Sequence, residues 1–326
     1  LDYDTILENA RSIKQAGDAN GVQNFFMLKQ IGRNPLIARA LTDMGYVGAV
    51  CVDFREALTM VENQIPLGNV GHLVQIPRAA LKKILRAKPV IVTVYTLEKA
   101  REISAVCTEL GLHQKLMLRV LGEGDMLYSG QYGGFELQEL DSAVRAIEAM
   151  PNVEVGGVCS FPCFLYDEAA QDILPMPNLR TVQTAAEMLR ARGYRDLMLN
   201  TPSATCTHSI PMIAAAGGTH GEPGHGLTGT TPYHAGHPDA EERPGYLYVS
   251  EVSHNLGDKA YCYGGGHYRR GHMKNALVGT TPENAKVVPV LPPDDSSIDY
   301  HFELQQNCPV SAAVVMAFRT QFFVTR

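Results

Sequence analysis

Short apolar runs alternate with amphipathic stretches along the first two-thirds of the chain. Runs at 23–28, 48–52, 72–76, 90–94, 115–121, 153–160, 197–199 and 217–220 are brief and bounded by turn residues, and they predict buried strands. Between them a 3.6-residue pattern predicts helices over 35–44, 56–63, 78–86, 97–110, 137–149 and 181–192, preceded by one over 5–16. Gly45, Gly111 and Gly193 follow the last periodic residue of three of these, as helix-terminating glycines do. Eight strands separated by helices predict an α/β fold, a (β/α)8 TIM barrel. A doubly wound sheet is the alternative, because spacing does not by itself establish closure.

The pattern changes near 233–244, a polar connector rich in His, Asp, Glu and Pro. Beyond it, alternating or β-rich runs at 246–252, 286–291 and 312–324 predict an all-β domain. The expected organisation is a barrel over 5–232 and a β-domain over 233–326. The latter is expected to include residues 1–4 as a strand.

Composition narrows the function classes. The chain has 326 residues, 45% of them hydrophobic, enough for a large core plus a smaller one. A net charge of −6 without a basic run argues against a nucleic-acid surface. No apolar stretch is long enough to span a bilayer. Seven scattered cysteines, an odd number, read as reduced thiols in a cytoplasmic protein. The opening Leu1-Asp2-Tyr3-Asp4 lacks an initiator Met and shows no signal-peptide pattern.

In a barrel of this kind the chemistry sits at the carboxyl ends of the strands. The first strand ends in Lys29, followed by the turn Gly32-Arg33-Asn34-Pro35. A lysine there either snorkels out of the rim or is kept partly desolvated, which favours the neutral, nucleophilic amine that Schiff-base chemistry needs. The seventh strand runs into the hydroxyl-rich turn Asn200-Thr201-Pro202-Ser203-Ala204-Thr205, and the eighth into residues 219–229, which contain Glu222-Pro223-Gly224-His225-Gly226. Loops after these two strands commonly cradle phosphate, with small residues admitting backbone N–H groups and hydroxyls adding donors. Lysine, phosphate cradle and the Glu222 carboxylate together are the parts that hold pyridoxal 5′-phosphate (PLP).

These segments resemble those of the alanine-racemase-like, fold-type III PLP enzymes, in particular their YhfX-like branch. The resemblance is carried by Phe25-Phe26-Met27-Leu28-Lys29-Gln30-Ile31-Gly32-Arg33-Asn34-Pro35 and by Glu222-Pro223-Gly224-His225. The second motif is similar to the Glu-Pro-Gly-Arg of basic amino acid decarboxylases and sits where alanine racemases carry Arg-Pro-Gly. Tyr261-Cys262-Tyr263-Gly264-Gly265-Gly266 resembles a catalytic loop of the racemases, without its aspartate. The resemblance implies PLP on Lys29 and a homodimer with shared active sites acting on a small amino acid. Arg119, Ser203, Thr205, Glu222, Gly224 and His225 are the expected cofactor-binding residues.

Two acid/base groups are needed to racemise at Cα. The expected pair is Lys29 through its aldimine on one face and Tyr263 on the other, with Cys262 as the rival proton donor. Arg269 and Arg270 are candidates for a substrate carboxylate. Glu222 in place of arginine favours a protonated pyridine ring and a stabilised carbanion, which suits decarboxylation or lyase chemistry as well as racemisation. Other readings are a PLP-binding protein without turnover and a phosphate-sugar barrel using Lys29 without PLP. His208, His220, His225, His267 and His272 show no standard zinc spacing, and Gln306 stands where related dehydratases place a ligand histidine, so no metal is expected.

Overall fold

The computed structural model describes residues 1–317 except 267, 269, 270, 272, 292 and 295. The first helix, α1 (Tyr3–Asn20), starts earlier than its pattern suggests. The Asp2 carboxylate accepts the Thr5 N–H at 3.0 Å and caps it, so residues 1–4 enter a helix and the expected strand is absent. Ile6, Ala10, Ile13 and Gly17 lie on its buried face, while the Asp2 N–H donates to the Gly245 carbonyl at 2.9 Å.

Eight parallel strands follow: β1 (Gln23–Asn24), β2 (Ala49–Cys51), β3 (Leu67–Val70), β4 (Ile91–Val94), β5 (Gln114–Leu121), β6 (Val153–Cys159), β7 (Met198–Asn200) and β8 (His220–Gly221). The sheet runs β1-β8-β7-β6-β5-β4-β3-β2, with a ninth short parallel strand, Phe135–Glu136, paired to β5 off this path. A parallel bridge from Phe26 to Ala49 joins its two ends. Across that join Val47 donates to Asn24, Phe26 to Gly48 and Val50 to Phe26, at 2.9, 3.0 and 2.7 Å. The sheet is therefore a closed barrel, not a doubly wound one. Phe25, Met27, Val50, Val52, Ile91, Met117 and Cys159 fill its interior.

The helices α2 (Pro35–Asp43), α3 (Phe54–Glu62), α4 (Arg78–Arg86), α5 (Leu97–Leu110), α6 (Leu140–Glu148) and α7 (Pro177–Ala191) pack outside it. Asn34 caps α2 by accepting the Leu36 N–H at 2.9 Å, with Pro35 in the first turn as expected. The third strand lies at 67–70, not at 72–76. Its Gly68 hides it from any apolar pattern, yet the glycine is needed: a Cβ there would stand 2.4 Å from the Phe25 ring. The short helices α8 (Ile210–Ala215) and α9 (Pro232–Gly236) complete this half, together with a hairpin of strands Phe164–Asp167 and Asp172–Pro175. The polar connector is partly α9 and is anchored: His234 Nε2 lies 3.1 Å from Glu242 Oε2, and Glu242 Oε1 accepts from the Thr207 N–H and hydroxyl.

The C-terminal part is a closed antiparallel barrel. It comprises β9 (Tyr248–Leu256), β10 (Lys259–Tyr263), β11 (Asn275–Gly279), β12 (Lys286–Leu291), β13 (His301–Leu304) and β14 (Ala313–Met316), ordered β9-β10-β13-β12-β11-β14. Its own core includes Val252, Cys262, Val290, Phe302 and Val314. The strand expected over 312–324 is described only to Met316; residues 318–324 of that run lie outside the described residues. Among the described residues no helix is long and apolar enough to cross a membrane. All seven cysteines are buried free thiols.

His220 sits in β8 with its ring stacked on Phe25, centroids 5.1 Å apart. Burial lowers its pKa from 6.5 to about 4. The unfolded chain therefore binds a proton near pH 6.5 that the fold refuses. Stability from this group is present above pH 6.5 and is lost as pH falls towards 4, by up to about 3 kcal/mol. Urea denaturation of His220→Phe is expected to show a shallower loss of stability over that window than the parent.

Candidate active site

The carboxyl ends of the strands gather a buried polar cluster. Glu222 follows β8, and its Oε1 accepts the side-chain N–H groups of Asn69 (β3) and Asn200 (β7) at 3.1 and 2.5 Å. Its backbone N–H donates to Thr205 Oγ1 at 3.2 Å. Its second oxygen, Oε2, faces His72 Nε2 at 3.8 Å. Asn69 is oriented in turn, because its Oδ1 accepts the Thr93 hydroxyl at 2.7 Å.

His72 is fully enclosed, edge-on to Phe161 with centroids 5.6 Å apart. Burial lowers its pKa most; Glu222 opposes that, while Arg119 and Lys29 add to it. His72 is therefore held as a neutral imidazole at physiological pH. Arg119 lies on β5 with no exposed surface. It donates to Tyr95 Oη and to the Gln131 carbonyl, both at 2.8 Å, and stacks over the Tyr95 ring at 4.9 Å. The Tyr95 hydroxyl donates to the His72 carbonyl at 2.5 Å, linking the arginine to the histidine loop.

Lys29 opens a single 3-10 turn, Lys29–Ile31, directly after the β1 region. Its charge acts on both His72 and Glu56, which places it among these groups. Gln30 is buried, its Nε2 3.4 Å from His225 Nδ1. A Cβ on Gly224 would fall 2.5 Å from that same Nε2, and one on Gly226 would fall 2.4 Å from the Thr205 carbonyl. The turns after β7 and β8 are thus nested backbone against backbone, which only glycine permits. Ser203 sits on this nest, but its hydroxyl proton is given to the Phe164 carbonyl at 2.8 Å.

Glu222, Arg119, Thr205, Gly224, His225 and Lys29 accordingly collect at one end of the barrel. Tyr263 and Cys262 do not join them within one chain. They are neighbours on β10, so they point to opposite faces. Cys262 has no exposed surface and belongs to the core of the C-terminal barrel, where burial raises its thiol pKa. Its enclosure is that of a packing residue, where its position beside Tyr263 suggested a proton donor. Tyr263 points outward, 52% exposed, its ring 5.8 Å from that of His301. Arg269, Arg270, His267 and His272 lie outside the described residues.

Asn69, His72 and Tyr95 escaped the reading of the sequence as site residues, and Asn200 entered it only as the start of the turn after β7. The available signal was a polar residue inside an apolar strand run, as in Leu67-Gly68-Asn69-Val70 and Met198-Leu199-Asn200. Two of the histidines singled out in the sequence have other partners. His208 pairs with Asp172 at 2.7 Å and stacks on Tyr233, and His220 packs on Phe25. Among the described residues, no three His, Cys, Asp or Glu side chains are grouped to hold a metal ion.

Several buried polar atoms here have no hydrogen-bond partner among the described residues: Glu222 Oε2, His72 Nε2, Arg119 Nε, Asn200 Oδ1 and Gln30 Oε1. Native interiors rarely leave such atoms unpaired, and a concentration of them marks a ligand site. An acceptor at Glu222, a donor at Arg119 and a glycine nest match the ring nitrogen, the ring oxygen and the phosphate of PLP.

Comparison with known proteins agrees with this geometry. Residues 1–232 match the model of the alanine racemase N-terminal domain, and residues 247–326 that of the YhfX-like C-terminal domain. The chain is 44% identical to the uncharacterized protein YhfX of Escherichia coli (strain K12), over all of this chain and 84% of that one. Among solved structures it is similar to a D-threonine aldolase from Filomicrobium marinum, with a TM-score of 0.69 and 17% identity over 98% of this chain and 85% of that one. A D-threo-3-hydroxyaspartate dehydratase from Delftia sp. HT23 also gives a TM-score of 0.69, with 15% identity over 98% of this chain and 89% of that one. An alanine racemase of Clostridium difficile 630 in complex with cycloserine gives 0.64, with 15% identity over 99% and 85%. The chain belongs to the alanine-racemase-like, fold-type III family of PLP-dependent enzymes, with a YhfX-like C-terminal domain.

Proposed function

We propose that this chain is a PLP-dependent enzyme that breaks a bond at Cα of a small amino acid, and that its reaction is racemisation. The observation that carries the reading is the Glu222 carboxylate, buried, held by two asparagines and left with one unpartnered oxygen. Lys29 would hold the cofactor's aldehyde carbon, Glu222 its ring nitrogen, Arg119 its ring oxygen, and the nest of Thr205, Gly224 and His225 its phosphate. Bound there, PLP supplies an electron sink for the pair left at Cα.

The protein's own groups supply the rest. Asn69 and Asn200 fix the Glu222 carboxylate so that Oε2 is directed away from both. The Arg119 cation is screened from water by Tyr95 and its own burial, which strengthens its pull on an anionic oxygen. Lys29 Nζ moves the proton at one face of Cα. Tyr263 Oη of a second copy serves the other face, since within its own chain that hydroxyl lies on an exposed outer surface. A homodimer with shared active sites follows from that assignment. The seven buried free thiols favour a reducing, cytoplasmic setting. A lyase or decarboxylase reaction on the same site is the second reading, favoured by a carboxylate at 222, which stabilises any carbanion at Cα however it forms.

The purified protein is expected to absorb in the visible range. Borohydride reduction followed by peptide mapping is expected to place a pyridoxyl group on Lys29, and none in Lys29→Ala. A colourless protein that takes up no added PLP sinks the reading.

For Tyr263→Phe, proton exchange at Cα is expected to fall about 10²–10⁴-fold for one enantiomer and far less for the other. Equal loss with both, or none, removes Tyr263 from the mechanism.

Gly226→Ala forces the Thr205 carbonyl to shift. It is expected to weaken PLP binding at least tenfold and to cost about 1–3 kcal/mol in urea denaturation.

A further inference from the structure

The barrel has a second mouth, at the amino ends of its strands, which the reaction above does not use. Side chains along each strand alternate between the helix-facing surface and the interior. On β5, Leu116, Leu118 and Val120 pack outward, so Lys115, Met117 and Arg119 face inward. Met117 helps to fill the interior and Arg119 belongs to the site at the carboxyl end; Lys115 closes that row at the amino end. In the same way Gln23 precedes the inward Phe25 by two positions on β1, and His220 precedes Glu222 by two positions on β8. The interior is thus layered, polar at both mouths and apolar between them.

Gln23, Lys115, Gly156, Asp196 and His220 line a cavity of about 320 Å³ at the amino mouth. Gly156 makes room for the lysine. A Cβ there would stand 2.9 Å from Lys115 Cβ and 3.4 Å from its Cδ, so the lysine stem lies over the bare backbone of β6. Asp196 enters from the turn before β7. Among the described residues neither Lys115 nor Asp196 has an ion-pair partner. Glu154, level with Lys115 in the β5–β6 ladder, does not line the cavity.

His220 is the buried element of this mouth, 8% exposed, with its ring fixed by the stack on Phe25. Thr219 Oγ1 accepts the Leu199 N–H at 2.8 Å and lies 2.8 Å from His220 Nδ1. The other acceptor within reach of that hydroxyl, the Leu199 carbonyl, is farther away at 3.3 Å. The hydroxyl proton therefore goes to Nδ1, and Nε2 carries the ring hydrogen. Nε2 has no partner among the described residues, and a donor on a buried ring is costly to leave unused. Burial keeps the ring neutral, so it brings a hydrogen bond to the cavity and no third charge.

One cation, one anion and one neutral donor around a cavity of this size fit a ligand that carries both charges a few bonds apart. We infer that the amino mouth of the barrel binds a small zwitterionic α-amino acid, its carboxylate held by Lys115 Nζ and His220 Nε2 and its ammonium by Asp196. The inference depends on neither the cofactor nor the reaction proposed for the opposite mouth.

The probe is N,N-dimethylglycine, a zwitterion whose tertiary amine forms no Schiff base, so bound PLP does not capture it. Titration calorimetry on the full chain is expected to give a Kd below about 10 mM. Lys115→Met and Asp196→Asn are each expected to weaken binding about tenfold or more and to leave the visible absorbance unchanged. Isovalerate, which keeps the shape and the carboxylate but lacks the ammonium, is expected to bind about tenfold more weakly or worse. In the unaltered protein the probe is expected to protect Lys115 from trace acetic anhydride and to leave Lys82 unprotected, a measurement that stands if the variants do not fold. The inference is overturned by no binding up to about 10 mM, by isovalerate binding as tightly, by an unmoved Kd in either folded variant, or by Lys115 left unprotected.

Discussion

A carboxylate buried in the mouth of a barrel is the constraint around which this molecule is organised. Removing a charge from water costs several kcal/mol unless hydrogen bonds replace the hydration. Glu222 meets that condition with donors from two sides of the barrel, Asn69 on β3 and Asn200 on β7. They reach one oxygen atom only if every strand between them keeps its register and the sheet closes. Closure through the Phe26–Ala49 bridge is therefore as much a requirement of the site as of the fold. His72 adds no second charge, because its own enclosure keeps the imidazole neutral beside the carboxylate.

The parts of this arrangement that the sequence made legible are those with a local signature. Lys29 ends an aromatic strand, Glu222 sits in a Glu-Pro-Gly turn, and helices such as α4 and α5 repeat their apolar residues at regular spacing. Other parts depend on contacts that no local window contains. Gly68 weakens the apolar pattern of β3 because its missing side chain makes room for Phe25, more than forty positions earlier. Residues 1–4 look strand-like in isolation, yet one hydrogen bond from Thr5 to Asp2 makes them a helix start.

Tyr263 and Cys262 show the same limit at closer range. Both stand in a glycine-rich stretch that resembles a catalytic loop, and the sequence ranks Tyr263 first on position alone. The pleat of β10 chooses: one side chain enters the core against Phe302 and Val252, the other faces outward beside His301. A thiol enclosed in its own domain has no path to a substrate, whereas an exposed phenol is available to whatever approaches that face.

The seam where the barrel closes has a bearing on motion. The β5–β6 ladder extends over six paired positions, whereas β1 meets β2 through three backbone hydrogen bonds. Local opening favours sparsely bonded joins such as this one, and amide exchange reports it. Lys29 stands at that join, on a single 3-10 turn instead of a long strand. Lys29 is thus mounted beside a sparsely bonded seam, whereas Arg119 is set in the longest ladder of the sheet.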